Sequence, residues 1–264
     1  MNAKVTVDGM TVNTKVQNNL LITEDALTST AKKADSLFDT SLTQTVTGII
    51  EPVSTVDGVN FFYTAASNVK GDGDAKEDTY VAYVEGDDFD SNYGFNTASS
   101  TECYGYKDYV FQLKATNTDA ANAAALKLTK LDLTYAGSTD LNKAFRVAIF
   151  VEDITSGTST GTVGTLKAIY SPSGATNHTS GKAVKSTTGL DTVTYATAAV
   201  DLASVASNST AYYKVVVRLW IEGEDSTCTN ETFASLNLNW SFDLAFELGT
   251  TTAAVYNINM KATS

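Results

Sequence analysis

In the stretch "NLNWSFDLAFEL", residues 237–248, the apolar side chains of Leu238, Trp240, Phe242, Leu244, Phe246 and Leu248 all fall on positions of one parity. A period of two belongs to a β-strand, where successive side chains point to opposite faces. An amphipathic strand of that length cannot stand alone, because its apolar side needs a second layer to cover it. The chain must therefore build a sheet packed on something else, and the remaining sequence says that the something else is another sheet.

Short apolar or alternating runs recur along the chain at Val5 to Val12, Leu20 to Ile22, Val46 to Ile50, Val59 to Tyr63, Tyr80 to Val84, Tyr109 to Lys114, Leu126 to Tyr135, Phe145 to Val151, Leu166 to Tyr170, Thr192 to Tyr195, Tyr212 to Ile221 and Val255 to Met260. Clusters of Gly, Asn, Asp and Ser divide them, the pattern of a β-sandwich or jelly roll. In "LKLTKLDLTY" the apolar parity carried by Leu126 and Leu128 slips by one before Leu131, Leu133 and Tyr135, which predicts a β-bulge at Thr129-Lys130. In "YYKVVVRLWI" Tyr213, Val215, Val217, Leu219 and Ile221 share one face and Tyr212, Lys214, Val216, Arg218 and Trp220 the other, as in a central strand. Two segments, 23–38 and 118–126, read either as short helices capped at Thr23 and Thr118 or as ordered loops. No repeat of solenoid or propeller length occurs, and the expectation is one all-β domain with long insertions near 64–79, 85–107 and 152–190.

Charge and composition narrow the function. The 264 residues hold 18 Lys and Arg against 30 Asp and Glu, a formal net charge of -12 that repels phosphate backbones, and no basic patch offsets it. Nucleic acid is therefore not an expected partner. No apolar run reaches the roughly 18 residues of a membrane span. The single histidine, His178, lies in a loop-like stretch and leaves no HExxH zinc site and no Ser-His pair. No phosphate-binding glycine motif follows a strand. The chain is not expected to be an enzyme.

Acid clusters are the remaining chemical candidates. "VKGDGDAKED" and "VEGDDFDSNYG" bring Asp72, Asp74, Asp87 and Asp88 into carboxylate-rich loops that suit a calcium ion, although neither follows the EF-hand spacing and solvated turns read as well. No other cofactor is implied. Glu222, Glu224 and Asp225 follow the Tyr212 to Ile221 strand and read as its exit turn. Cys103 and Cys228 are far apart in sequence, and are either two buried thiols or a disulfide.

At the N-terminus, "KVTVDGMTVNTKV" alternates through Val5, Val7, Met10 and Val12 with no helix to anchor it, and a strand near a chain end can complete a sheet in its own subunit or in a neighbour. Residues 1–14 are therefore set apart as a candidate donor strand and 15–264 as the domain, so that removing residues 1–12 is expected to leave a folded monomer.

The phrases "DGMTVNTKVQNNLLIT" at 8–23, "EPVSTVDGVNFFY" at 51–63 and "VVVRLWIEGEDSTC" at 215–228 resemble the secreted Gram-positive proteins exported with SipW-type signal peptides, the group of the TasA and camelysin-like fibre proteins. The resemblance implies a jelly-roll domain and assembly by insertion of an N-terminal strand into the next subunit, with Lys4, Val5, Val7, Met10 and Val12 as donor residues. It implies a homopolymer outside the cell or on its surface, after removal of a leader, with cell-surface or matrix partners. Camelysin-like members have been labelled peptidases, and this chain has no zinc ligand set for that chemistry. Two alternatives remain: a virion protein of a phage head or tail, for which Met1 is a natural start, and a carbohydrate- or calcium-binding adhesin module.

Overall fold

In the computed structural model the described residues are 5–6, 10–17, 19–28, 32, 34–45, 49–64, 80–84, 103–135, 143–172, 175, 196, 200–228 and 240–249. Their strands are β1 (Val5–Thr6), β2 (Thr11–Gln17), β3 (Leu20–Thr23), β4 (Ser41–Thr45), β5 (Ile49–Ile50), β6 (Phe62–Thr64), β7 (Tyr80–Ala82), β8 (Cys103–Tyr104), β9 (Tyr106–Asn117), β10 (Ala124–Tyr135), β11 (Phe145–Asp153), β12 (Thr165–Tyr170), β13 (Asp201–Val205), β14 (Ser209–Ile221) and β15 (Trp240–Gly249). Two five-stranded sheets form an all-β sandwich: sheet I in the order β13-β10-β15-β2-β4, and sheet II in the order β12-β11-β14-β9-β3. From β2 to β11 successive sandwich strands change sheet, the wrapping of a jelly roll. One pair in the sandwich is parallel, β2 against β15.

The inner faces meet as the alternation demands. Phe242, Leu244, Phe246 and Leu248 of β15 are buried against Tyr213, Val215, Val217, Leu219 and Ile221 of β14 in one continuous core. The phase slip in β10 is a bulge, with the register to β15 shifting between Leu128 and Lys130 so that Leu126, Leu128, Leu131 and Leu133 all stay inside.

Neither candidate helix forms an α-helix among the described residues. Thr23 ends β3, and its hydroxyl accepts the Asp25 N–H at 3.2 Å; the described residues that follow show 3₁₀ geometry, at Lys32 and at Asp35–Leu37. Asp119 Oδ1 accepts the N–H groups of Ala121 at 2.8 Å and Asn122 at 3.0 Å, and β10 begins at Ala124. Short polar side chains have bonded their own backbone and left no apolar stripe to hold a helix.

The outer faces differ. Sheet I presents Thr11, Asn13, Lys15, Lys130, Asp132 and Asp243. Sheet II is roofed: Val53, Phe61 and Tyr63 pack on Ala148, Phe150, Ile169, Val216 and Trp220 in a second cluster. The roof segment is held by parallel bridging of Val53 to Glu222 and antiparallel bridging of Ser54 to Phe62. Within it the expected strand over Val59 to Tyr63 is shortened, because Asp57 Oδ1 accepts the N–H groups of Val59 at 2.9 Å and Asn60 at 2.8 Å and closes a loop. Gly58 is required there: its φ is +70°, and a Cβ would lie 3.4 Å from Ala148 and Phe150.

Candidate functional site: the inserted N-terminal strand

Strand β2 is the element on which the expected assembly chemistry rests. Its alternation is complete: Val12, Thr14 and Val16 are buried, with Met10 just ahead of them, while Thr11, Asn13, Lys15 and Gln17 face outward. It lies between β15, parallel from Thr11 against Ser241 to Gln17 against Glu247, and β4, antiparallel from Thr11 against Thr45 to Lys15 against Ser41. Both neighbours are remote in sequence from β2. On the outer face Asn13 Nδ2 donates to Asp243 Oδ1 at 3.0 Å, Thr43 Oγ1 donates to Asn13 Oδ1 at 3.1 Å, and Lys130 Nζ donates to Asp243 Oδ2 at 3.1 Å. Burial pushes the Asp243 carboxyl up, but hydrogen bonds from Asn13 and Lys130 and the charges of Lys130 and Lys15 outweigh it and hold the group below its usual value.

The donor residues are thus placed unequally. Met10 and Val12 are each 1% exposed and belong to the main core of their own chain. Val5 pairs through its backbone with Ile50, whereas Lys4 and Val7 lie outside the described residues. The proposed boundary after residue 14 falls inside β2, which runs unbroken to Gln17, so the strand is part of the sandwich and not an appendage to it. Its tether is short: β2 ends at Gln17 and β3 begins in the other sheet at Leu20. Asn19 in this turn sits at φ 61°, a left-handed conformation that Asn tolerates better than most residues. Among the described residues Thr14 Oγ1, the Tyr109 hydroxyl and Gln44 Oε1 are buried without a hydrogen-bond partner, so polar groups between the sheets lost water on closure.

Of the acids after β14, Glu222 and Asp225 are taken up in buried contacts. Glu222, 1% exposed, accepts the Ser54 hydroxyl, the Trp220 Nε1–H at 3.4 Å and the Glu224 N–H at 3.2 Å, which ties the roof to the strand end. Asp225 accepts Arg146 Nη2 at 2.8 Å with both side chains fully buried, and its other oxygen takes the Thr227 N–H and hydroxyl at 2.9 and 2.7 Å. A buried ion pair of this kind holds geometry while its carboxylate has no free oxygen for acid or base work. Beside it, Cys228 is a free thiol, so the alternative of a Cys103–Cys228 disulfide is not realised in the structure; the Cys103 side chain lies outside the described residues. Burial first, and then the Glu222 and Asp225 charges, push the Cys228 thiol far up, which makes it inert as a nucleophile.

The calcium candidates Asp72, Asp74, Asp87 and Asp88 and the lone His178 lie outside the described residues. Among the described residues no group of three or more His, Cys, Asp or Glu could hold a metal ion, and no helix is long and apolar enough to cross a membrane.

Sequence reasoning missed one cluster. Arg218 Nε and Nη2 grip Asp108 at 2.7 and 2.8 Å, Nη1 donates to the Gly58 carbonyl at 3.0 Å, and the guanidinium lies 3.8 Å from the Tyr106 ring centroid. It pins the roof loop to sheet II. The signal available was an Arg inside an otherwise apolar strand, which needs a fixed anion when it is buried. Compared with known proteins, the chain matches no family model, no curated protein and no solved structure.

Proposed function

We propose that this is an extracellular structural protein that self-assembles into fibres or a surface layer by exchanging its N-terminal strand between subunits, as its resemblance to the TasA and camelysin-like group implies. The observation that supports the reading is the seat of β2: a strand inserted between β15 and β4, joined to β3 by a short turn and preceded by the two-residue β1, which pairs with β5. A neighbour's β2 can make the same contacts that the chain's own β2 makes, so exchange changes the connection and not the interface, and concentration decides between closed monomer and polymer. Met10, Val12 and Val16 contribute roughly 1.5–3 kcal/mol each on burial, with about 0.5–1.5 kcal/mol net for each ladder hydrogen bond, enough to hold a neighbour once inserted. The unpartnered Thr14 hydroxyl tempers that grip and favours a strand that can leave.

Locking β2 to its own sheet tests the reading. Asn13 and Asp243 are directly opposite in the parallel register, so a N13C/D243C pair, oxidised in dilute monomer, closes the strand in cis. Wild-type protein should form filaments visible by electron microscopy, the oxidised double variant should not, and reduction should restore them. Filaments that persist in the oxidised variant, or no ordered assembly of the wild type at any concentration, would sink the proposal.

A further inference from the structure

Among the described residues the sandwich has four edge strands, and three of them are guarded. At β3, Ile22 exchanges backbone hydrogen bonds with Asp39, both at 2.8 Å. At β12, the Ile169 carbonyl accepts the Ala196 N–H at 2.7 Å. At β13 the register shifts opposite Leu126/Lys127, and the strand carries Asp201, 3.5 Å from Lys127. Charges, bulges and coverings are the usual devices that stop a sheet from growing at its edge.

Strand β4, with the sequence SLTQT, has no charge and an unbroken register against β2, and no described residue hydrogen-bonds the outward backbone of Ser41, Thr43 or Thr45. Its ladder to β2 is in phase with the Val16 N–H to Thr40 carbonyl bond, so Leu42 and Gln44 turn their backbone groups inward to β2. The N–H and C=O groups of Ser41, Thr43 and Thr45 consequently point off the open edge, and all three residues are exposed. Gln44 Nε2 donates to the Val110 carbonyl at 3.3 Å and braces the edge against the other sheet.

We infer that β4 is an association edge that pairs antiparallel with β4 of a second copy, joining two sheets I into one continuous sheet. The strand is self-complementary about Thr43: the dyad sets Ser41 opposite Thr45 and Thr43 opposite itself, so the outward groups of each copy form about six intermolecular hydrogen bonds. In a chain of net charge -12 this strand brings no like charges face to face. Lys15, on the neighbouring strand, is opposite Ser41, so across the dyad it and its counterpart are three strand spacings and four residues apart, about 20 Å, beyond a screening length of about 8 Å. Five residues per copy bury far less than the roughly 1,000 Å² of a stable interface, so the contact is weak for free subunits and effective where many copies are already aligned. It adds lateral association to the end-to-end assembly proposed above and does not depend on it.

Amide hydrogen exchange read by NMR on the oxidised N13C/D243C protein isolates this edge, because strand exchange is blocked there. Raising the concentration to about 1 mM should slow exchange at Ser41, Thr43 and Thr45 while Leu42 and Gln44, already bonded to β2, stay unchanged. Thr43→Pro, which removes an outward N–H along with a hydroxyl whose partner Asn13 is already replaced in this protein, should weaken the self-association about tenfold or more, and S41K/T45K, which sets Lys against Lys across the dyad, should abolish it. Exchange at the three amides that does not respond to concentration, or protection that appears only when a different protein is added, would overturn the assignment to a second copy. So would association that survives S41K/T45K with the β2 ladder intact. None of these readouts needs filaments, so the strand-exchange reading and the β4 reading can fail separately.

Discussion

Sheets I and II share one core but meet their surroundings in opposite ways. In sheet I, β15 alternates strictly, with buried Phe242, Leu244, Phe246 and Leu248 interleaved with half-exposed Ser241, Asp243, Ala245 and Glu247. In sheet II, β11 is buried from Phe145 to Val151, and β14 is buried from Tyr213 to Ile221. A sheet with water on one side needs only one apolar face, whereas a strand roofed on both sides must be apolar throughout or carry paired charges. Arg218 and Lys214 are those paired charges in β14: Arg218 is held by Asp108, and Lys214 Nζ lies 3.4 Å from Glu152. The comparison separates the two halves: sheet II is covered on both faces, whereas sheet I keeps one face in water, and it is on sheet I that both proposals, exchange of β2 and pairing at β4, are placed.

The largest blow to this picture is removal of residues 1–12. Where the sequence pattern suggested a folded monomer, burial of Met10 and Val12 in the main core predicts a loss of about 3–6 kcal/mol from these two side chains alone, before the lost ladder bonds are counted. Denaturant melts should show a protein unfolded or nearly so, rescued by a synthetic peptide spanning residues 1–17. A truncated protein as stable as wild type would mean that sheet I closes without β2.

Next in size is Trp220→Ala, which empties a fully buried site beneath the roof, where Trp220 meets Phe61 edge-on at 5.5 Å. A loss of about 3–5 kcal/mol is expected in chemical denaturation. A loss below about 1 kcal/mol would show that the roof adds nothing to sheet II.

Acid titration probes the rim of sheet II. Burial raises the Glu152 pKa, but hydrogen bonds from Thr160 and Ser159 and the charge of Lys214 overcome it and bring it down to about 2, against an ordinary value of 4.5. A carboxyl whose folded pKa is lowered contributes stability in full above its unfolded value and loses it as pH falls through the folded one. Wild-type stability should therefore decline between about pH 4.5 and pH 2, and Glu152→Gln should flatten that part of the curve. An unchanged slope in Glu152→Gln would remove this pair from the account.

The smallest effect belongs to sheet I. Lys130→Ala deletes ion pairs to Asp243 at 3.1 Å and Asp132 at 3.6 Å on a wet face, where such pairs contribute roughly 0.2–1 kcal/mol and fade with salt. A loss comparable with that of Trp220→Ala would erase the distinction between the two outer faces.

Most of the sandwich was legible in the sequence because alternation is a local signal. The parity of β14 and β15 and the bulge in β10 follow from side chains two residues apart, and all three are as the pattern predicts. The choice between helix and ordered loop at 23–38 and 118–126 stayed open in the sequence because capping residues are also turn residues, and only a missing apolar stripe tells them apart. The roof was harder to see: the pattern pointed to a strand over Val59 to Tyr63, and nothing local says that Phe61 and Tyr63 will settle on Trp220.

By itself, then, the sequence determined the long central strands, their apolar faces and that two layers must pack, since each of these depends on near neighbours along the chain, whereas the short polar strands β4 and β13 carry no such pattern. Only the tertiary structure decided that β2 lies inside its own sheet beside β15, that Asp225 is consumed by Arg146, that Cys228 is a free buried thiol and that β4 is left as the open edge. Those outcomes depend on which strands become neighbours. Pairing between residues some 230 positions apart, such as Asn13 with Asp243, is settled by the closing of the whole fold and leaves no mark in any one stretch of chain.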